Sequence, residues 1–179
     1  MGLPDITVTG KGKQSFPFDD AYADLLRDES SNHSHLLPYK DDRGFWTIGM
    51  GHLIGNGSDK SLDIWRQANP PSGALTVSGE KALATHDMSL AMMDLDAHAD
   101  WWRYMSPVRQ RVIHNMCFNL GWTKLNKFGA TLEVMRMGYW AQAAQHMEDS
   151  AWFGQVGDRA KRLCWMMRND NCNFPKEIR

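Results

Sequence analysis

The sequence predicts an α+β fold: a small N-terminal lobe with a β-hairpin and a helical C-terminal lobe, joined by a long helix. Two observations predict this class. Over residues 36–54, glycines interrupt a short run of Tyr, Phe, Trp, Thr and Ile, which is typical of small β-hairpins. From residue 76 onward, apolar residues recur at helical spacing in one segment after another.

Four parts follow from this pattern: a flexible leader over 1–18, an N-terminal lobe over 19–75, a helical lobe over 76–174 and a tail over 175–179. The leader contains several glycines and shows no helical period. In residues 55–76, the turn-forming segments GNGSDK and NPPSG flank a short helical stretch and indicate a connector.

Periodicity and capping residues predict the helices in chain order. The predicted helices cover residues 19–30, 61–68, 76–98, 107–120, 129–137, 140–149 and 157–167. Ser106 followed by Pro107 is a cap with proline at the first helical position. Either Thr76 or Ser78 can cap the long helix.

Composition and charge exclude several classes of protein. The chain of 179 residues is 42% hydrophobic and 23% charged, as expected for a soluble globular protein rather than a disordered one. No run approaches the roughly 20 apolar residues of a membrane span, and residues 1–15 hold no signal-peptide core. A net charge of −1 gives no reason to expect nucleic-acid binding. The three cysteines match no metal spacing and suggest a reducing compartment.

Glu29 shares the apolar face of the first predicted helix with Tyr22, Leu25 and Leu26. Burial and the negative end of the helix dipole both disfavour the charged form of this carboxyl group. A carboxyl group that keeps its proton near neutral pH is what a general acid requires. On periodicity alone, a solvated Glu at a frayed helix end is the commoner alternative.

Asp41 and Asp42 lie in the segment YKDDRG, which is typical of a solvated hairpin turn. A loop carboxylate that faces a helical one across a cleft is also the arrangement used in glycoside hydrolysis. Thr47 follows six residues after Asp41, where its hydroxyl could help to hold a water molecule. The turn therefore has both a structural and a catalytic interpretation.

Asp87 interrupts the apolar stripe of the long helix, between Leu83 and Leu90. A buried carboxylate needs a partner, and His52 or Arg159 could supply one. A structural ion pair is the favoured interpretation of Asp87.

Two segments resemble the catalytic region of phage-type lysozymes, glycoside hydrolase family 24: LLRDE at residues 25–29 and YKDDRGFWTIGMGH at residues 39–52. That region has a Glu on the first helix and then the motif Y-x-D-x-x-G-x-x-T-I-G-x-G-H. Every fixed position of the motif is present, as Tyr39, Asp41, Gly44, Thr47, Ile48, Gly49, Gly51 and His52. The likeness extends over residues 19–174 through the segments 114–121, 127–144 and 151–162.

This resemblance implies a lysozyme-like fold and a muramidase that cleaves the β-1,4 bond between N-acetylmuramic acid and N-acetylglucosamine in peptidoglycan. Glu29 would be the general acid, and Asp41 would position or activate the attacking water with help from Thr47. Such enzymes are expected to invert the anomeric centre and to need no metal or organic cofactor.

The resemblance also implies supporting roles in both lobes. Arg159 matches the arginine that pairs with the catalytic Glu, whereas His52 and Asp87 match an ion pair between the hairpin and the long helix. Four further positions lie near the cleft or support it, with packing as their first role: Asn115, Asn119, Phe128 and Trp152.

The chain departs from the family between Glu29 and Asp41, where the spacing is twelve residues instead of nine. The segment SSNHSHLL replaces a short turn, with Ser30 where the family has glycine. Either the extra residues bulge outward and leave both carboxylates in place, or a rebuilt turn misdirects Glu29. Asp42 could also replace Asp41 if the register slipped.

The near-neutral charge gives little attraction to anionic peptidoglycan. We therefore expect delivery by a virion or secretion-apparatus carrier through residues 1–17, or release by a holin in a host-lysis enzyme. The expected protein is a monomer made in the cytoplasm without a signal peptide, and it acts on peptidoglycan in the periplasm or cell wall.

Two alternative functions stay open at this point. His33 and His35, with His52 or Asp41, could bind zinc as in wall-cleaving amidases or peptidases. Loss of activity on chelation would favour this zinc enzyme. The other alternative is a catalytically inactive lysozyme-like module that binds peptidoglycan or a partner.

Overall fold

The computed structural model describes residues 12–28, 35–41, 43–69 and 73–178, and residue 29 by its backbone. These ranges are mostly helical and contain one small three-stranded antiparallel sheet, so the predicted α+β class is confirmed. None of the described helices combines the length and the apolar character needed to cross a membrane. The chain forms two compact units, Asp19–Leu90 and Ala91–Arg179, and the latter includes the described residues before Asp19.

The Asp19–Leu90 unit contains most of the first helix and the whole sheet. Helix α1 (Phe18–Glu29) has two aspartates in its first turn, where the helix dipole favours anions. The strands β1 (Tyr39–Lys40), β2 (Trp46–Ile48) and β3 (His52–Leu53) follow in sheet order. Thr47 pairs with Tyr39 on one side and with Leu53 on the other, so it lies at the centre of the sheet.

Two helices complete this part of the chain. Helix α2 (Asp59–Ala68) is capped by Ser58 and buries Leu62. Helix α3 (Val77–His98) begins at Thr76, whose Oγ1 accepts the Gly79 N–H at 3.0 Å, so Thr76 rather than Ser78 is the cap. The Asp19–Leu90 unit ends inside α3, whereas the sequence places the boundary ahead of this helix, at residue 75.

Helices fill the Ala91–Arg179 unit. They are α4 (Pro107–Leu120), α5 (Trp122–Leu125), α6 (Gly129–Arg136), α7 (Trp140–Glu148), α8 (Ala151–Val156) and α9 (Asp158–Asn169), with 3-10 turns at Asp100–Tyr104 and Lys176–Ile178. The predicted cap of α4 is present, since Ser106 Oγ accepts the Arg109 N–H at 3.3 Å. The sequence missed the 3-10 turns, α5 and α8 because elements of this length are too short to show a helical period.

The core of this unit is built around α4, whose residues 112–117 are all buried. Its large and fully buried side chains include Leu95, Trp102, Met105, Ile113, Met116, Leu125, Met135, Met147 and Leu163. Cys117 and Cys164 belong to the same core, and burial raises the pKa of each thiol to about 12. These two cysteines are therefore unreactive packing residues at neutral pH.

The described end of the predicted leader makes specific contacts with this unit. The Gln14 N–H donates to the Arg103 carbonyl at 2.7 Å. The Phe16 ring lies 5.4 Å from the Trp102 ring and 4.6 Å from the His114 ring, measured between centroids. The sequence predicts no such contacts, because an isolated aromatic residue in a glycine-containing segment carries no periodic signal.

Candidate functional site

Asp41 closes the turn between β1 and β2. Its Oδ1 accepts the backbone N–H groups of Phe45 at 2.8 Å and of Arg43 at 3.0 Å. The Asp41 N–H in turn donates to the Phe45 carbonyl at 2.9 Å, and the Gly44 N–H donates to the Asp41 carbonyl at 2.8 Å. Gly44 has a φ of 81°, a left-handed conformation that favours glycine, which explains why the turn has glycine here.

The Arg43 guanidinium donates two hydrogen bonds to the same carboxylate, an arrangement that we call the Arg43 fork. Its Nε and Nη2 donate to Asp41 Oδ2 at 3.1 and 3.0 Å. The Phe45 backbone N–H lowers the pKa of Asp41 most strongly, the Arg43 hydrogen bonds and charge lower it further, and desolvation opposes them. Asp41 is therefore an anion at neutral pH, and it is a weak base.

Thr47 is joined to Asp41 through the backbone of Phe45. The Thr47 hydroxyl donates to the Phe45 carbonyl at 3.3 Å, and the Phe45 N–H donates to Asp41 Oδ1. Thr47 is buried, with 4% of its surface exposed. The structure therefore brings together two of the three predicted catalytic residues in the β1–β2 hairpin, Asp41 in its turn and Thr47 on β2.

His52 and Asp87, for which the resemblance implies an ion pair, lie within hydrogen-bond distance of each other. His52 Nδ1 lies 2.8 Å from Asp87 Oδ2, and both side chains are largely buried. Asp87 lies on α3 and His52 on β3, so the pair ties the sheet to the long helix. Of the two partners that the sequence allows for Asp87, the structure selects His52.

Glu29 is the last residue of α1, as its predicted place at the helix C-terminus requires. Its side chain lies outside the described residues, as do Asp42, His33 and residues 30–34 of the insertion. The effect of the insertion on Glu29 stays a prediction. His35 is described: it is exposed and its ring lies 4.4 Å from the Tyr39 ring.

The five predicted residues of the Ala91–Arg179 unit form two neighbouring pairs and one ring contact. Arg159 is buried, and its Nε donates to the buried Asn115 Oδ1 at 2.8 Å. One turn further along α4, Asn119 Oδ1 accepts the Trp152 indole N–H at 3.1 Å. The Phe128 ring meets Trp152 edge to face, with centroids 6.4 Å apart.

These contacts identify packing roles for Asn115 and Trp152, which are 2% and 3% exposed. Asn119 is exposed and Phe128 is half-buried, so these two side chains can also reach a ligand. The predicted pairing of Arg159 with Glu29 joins residues of different units and stays a prediction.

Phe128 also lines an open pocket of about 440 Å³. The pocket walls include Lys127, Phe128, Ala130, Thr131, His146, Asp149 and Ser150. Its volume is in the range of pockets that hold small molecules or part of a polymer. Within the described ranges, no three His, Cys, Asp or Glu side chains come together as a metal site.

Comparison with known proteins identifies the relatives of this chain. The chain is 26% identical over 154 residues to the protein named Probable T4-type lysozyme 1 of Dictyostelium discoideum, covering 79% of this chain and 91% of the relative. The chain is also 26% identical over 141 residues to Probable T4-type lysozyme 2 of the same organism, covering 72% of this chain and 83% of the relative. The chain is therefore similar to proteins named T4-type lysozyme. The resemblance predicted from the sequence is thus confirmed.

The chain is also similar to a viral protein. The chain is 27% identical over 171 residues to the pre-baseplate central spike protein Gp5 of Enterobacteria phage T4. This match covers 87% of the chain but only 29% of Gp5, so the chain spans less than a third of that relative. No protein-family model matches the chain.

Two residues at or near the candidate site, Arg43 and Glu80, were not predicted from the sequence. The contact of Arg43 with Asp41 depends on the conformation of the turn, so the sequence predicts no role for it. The position of a cation two residues after an acidic residue could have indicated this contact. Glu80, in the first turn of α3, is 4% exposed, and its Oε1 has no hydrogen-bond partner among the described residues. Glu80 packs against Gly49, where an added Cβ would lie 3.4 Å from Glu80 Cγ.

Proposed function

We propose that this protein is a muramidase that hydrolyses the β-1,4 bond between N-acetylmuramic acid and N-acetylglucosamine in peptidoglycan. The observation that carries the proposal is the Asp41 turn, where the motif positions fold into a hairpin that holds the carboxylate and joins it to Thr47. The similarity to proteins named T4-type lysozyme supports the same class of reaction.

Glu29 is the proposed general acid that protonates the glycosidic oxygen. It is the last residue of α1. The C-terminus of a helix carries partial negative charge, which disfavours ionisation of a carboxyl group there. A carboxyl group that stays protonated near neutral pH can donate its proton to the leaving group.

Asp41 and Thr47 are the proposed partners of Glu29 on the other side of the bond. The low pKa of Asp41 keeps it ionised, so that it can stabilise positive charge that develops on the sugar and orient the attacking water. Thr47 would hold the same water through its hydroxyl. Attack by a water from the face opposite the leaving group inverts the anomeric centre.

The Phe128 pocket is the proposed place for another part of the glycan strand. Apolar and polar walls are both needed there, because a sugar presents an apolar face and a rim of hydroxyl groups. Phe128 supplies an apolar wall for the sugar face, and Thr131, Asp149 and Ser150 supply polar groups for the hydroxyls.

Delivery by a larger assembly is the proposed route to the periplasm or cell wall. The matching relative from phage T4 is named a spike protein, and the match covers under a third of it. A lysozyme-related segment can therefore be carried inside a virion component, and residues 1–17 are the proposed attachment segment.

The proposal is tested by digestion of purified peptidoglycan. We expect new reducing ends on N-acetylmuramic acid, release of the inverted anomer, and no effect of a metal chelator. Glu29→Gln should reduce the rate by at least a factor of about 100, since general acid catalysis contributes about 10²–10⁴-fold. Asp28→Asn, the same change at the preceding position, should retain near wild-type activity.

Each alternative function predicts a different result in this assay. Loss of activity with the chelator would favour the zinc enzyme, and cleavage of amide bonds would identify an amidase or peptidase. Binding of peptidoglycan by the wild type without any cleavage would favour the inactive module.

A further inference from the structure

The Asp41 carboxylate has all its lone pairs occupied. Each carboxylate oxygen offers two lone pairs. Oδ1 accepts two backbone N–H groups, from Arg43 and Phe45, and Oδ2 accepts Nε and Nη2 of the Arg43 guanidinium. Among the described residues these four donors use both lone pairs of each oxygen, so a water molecule has to displace one of them to be held by Asp41, as the proposed reaction requires.

Among these four donors, the guanidinium can leave without disturbing the turn. The two backbone N–H groups belong to the hairpin, where Asp41 and Phe45 are also paired through the Asp41 N–H. The Arg43 side chain is 65% exposed, and water competes effectively for an exposed ion pair. The guanidinium carbon lies 5.4 Å from the centroid of the Phe45 ring, which gives the side chain a second resting contact.

We propose that Arg43 determines substrate specificity: it clamps Asp41 in the resting protein, and a carboxylate on a peptide stem of the substrate draws the guanidinium away. A water molecule then takes the vacated position on Oδ2. This inference rests on the proposed function, because it needs Asp41 to act on a peptidoglycan strand.

The chemistry of the exchange favours a carboxylate over a sugar hydroxyl. A guanidinium binds a carboxylate through two parallel hydrogen bonds, so a substrate carboxylate can replace the one that Arg43 leaves. The sequence of the Asp19–Leu90 unit, which contains Asp41, has 6 Lys and Arg against 11 Asp and Glu, a net charge of 6 − 11 = −5. An anionic substrate near Asp41 therefore meets repulsion from this part of the chain, which a displaced Arg43 offsets.

Among the described residues, Arg43 is the charged side chain that acts on Asp41. The charge of Arg43 acts on Asp41 and lowers its pKa, after the larger effect of the Phe45 N–H. Lys40, on β1, instead has its Nζ 5.1 Å from the centroid of the Trp46 ring. Asp42 lies outside the described residues.

The inference is tested by comparing two substrates with the full-length protein. One is a soluble glycan strand that bears tetrapeptide stems, and the other is chitohexaose, which has no carboxylate. The measured quantity is kcat/KM for the stem-bearing strand divided by kcat/KM for chitohexaose. Arg43→Met should lower this ratio by at least about fivefold, mainly because kcat for chitohexaose rises. Arg43→Lys, which keeps the charge but loses the fork, should give an intermediate ratio. Arg66→Met, an exposed change on α2, should leave the ratio unchanged.

A second measurement is independent of catalysis. Carbon NMR of the Asp41 carboxyl should show a higher pKa in Arg43→Met than in the wild type or in Arg66→Met. A soluble muropeptide should shift the Arg43 Nε resonance of the wild type, and chitohexaose should not.

Several results would overturn the clamp. They are an unchanged substrate ratio in Arg43→Met, an equal loss of activity on both substrates, an unchanged pKa of Asp41, and an Arg43 resonance that ignores the muropeptide. A wild type that cleaves neither substrate would contradict the proposed function, and the two NMR measurements would still decide whether the clamp exists and opens.

Discussion

At the scale of single residues, Asp41 combines a structural and a chemical role. The carboxylate holds the β1–β2 turn by accepting two backbone N–H groups, and the same contacts keep it ionised. A substitution that removes its charge therefore weakens the turn and the proposed reaction together. The adjacent Asp42 shares the sequence signal but lies outside the described residues.

We expect Asp41→Asn to reduce peptidoglycan hydrolysis at least tenfold, because the variant loses its charge and its ion pair with Arg43. Asp42→Asn should change the rate less than twofold. Initial rates on peptidoglycan, measured beside circular dichroism spectra of each variant, check this order. A larger loss in Asp42→Asn would show that the register of the turn differs from the one described here.

At the scale of elements, the end of α3 is joined to the following 3-10 turn through Asp96. Its carboxylate accepts the Trp102 indole N–H at 2.8 Å and Nε and Nη2 of Arg103 at 2.7 Å each. The Arg103 hydrogen bonds lower the pKa of Asp96 most strongly, Trp102 lowers it further, and desolvation partly opposes both. A depressed pKa in the folded state stabilises the fold above the ordinary pKa of Asp, and that stabilisation is lost as the pH falls through the depressed value.

We expect Asp96→Asn to lower the free energy of unfolding by about 1 kcal/mol at pH 7, a value reduced by solvent screening because the carboxylate is half exposed. The difference from the wild type should stay constant from about pH 7 to 5 and shrink below about pH 4. Urea denaturation across this range measures it, with the exposed Asp94→Asn on the same helix as control. A difference that grows on acidification would contradict the assigned contacts.

The segment before α1 is a second element-scale feature, because Phe16 packs into the core cluster beside Trp102 and His114. We expect Phe16→Ala to lower the free energy of unfolding by about 2 kcal/mol, below the usual range for a fully buried Phe because this ring is only partly buried. Gln14→Ala should cost less than about 0.5 kcal/mol, since its backbone N–H keeps the bond to Arg103. Equal effects of the two substitutions in chemical denaturation would argue against this docking.

The same contacts refine the test of carrier attachment through residues 1–17. A deletion of all 17 residues would also remove Gln14 and Phe16, so any loss of attachment would be mixed with a loss of stability. A deletion that ends at residue 11 keeps these contacts and tests attachment alone.

The sequence predicted the elements whose signals are local or periodic. The long helices follow their apolar period, and the hairpin follows the spacing of Gly44, Gly49 and Gly51. The link between Asp41 and Thr47 could be predicted because both residues lie in one short hairpin, six residues apart. The docking of Phe16 could not be predicted, since it depends on tertiary packing that no local pattern encodes. The contact of Arg43 with Asp41 is local, but its geometry depends on the conformation of the turn. For Asp87, the residue pattern left His52 and Arg159 open as partners, and the resemblance favoured His52.

At the scale of the whole molecule, charge and kinship point in the same direction. A net charge of −1 gives the chain little long-range attraction to an anionic wall. The chain is also similar to proteins named T4-type lysozyme and to part of a phage spike protein, which supports the proposed delivery by a larger assembly. Attraction then has to arise locally, at a cation such as Arg43 beside the proposed reacting groups.

The rate of peptidoglycan hydrolysis by the wild type and by Glu29→Gln tests the central claim most directly. We expect new reducing ends on N-acetylmuramic acid with the wild type, a loss of at least about 100-fold in Glu29→Gln, and unchanged folding of the variant. Near wild-type activity in Glu29→Gln, with Asp28→Asn measured beside it, would contradict the proposed mechanism.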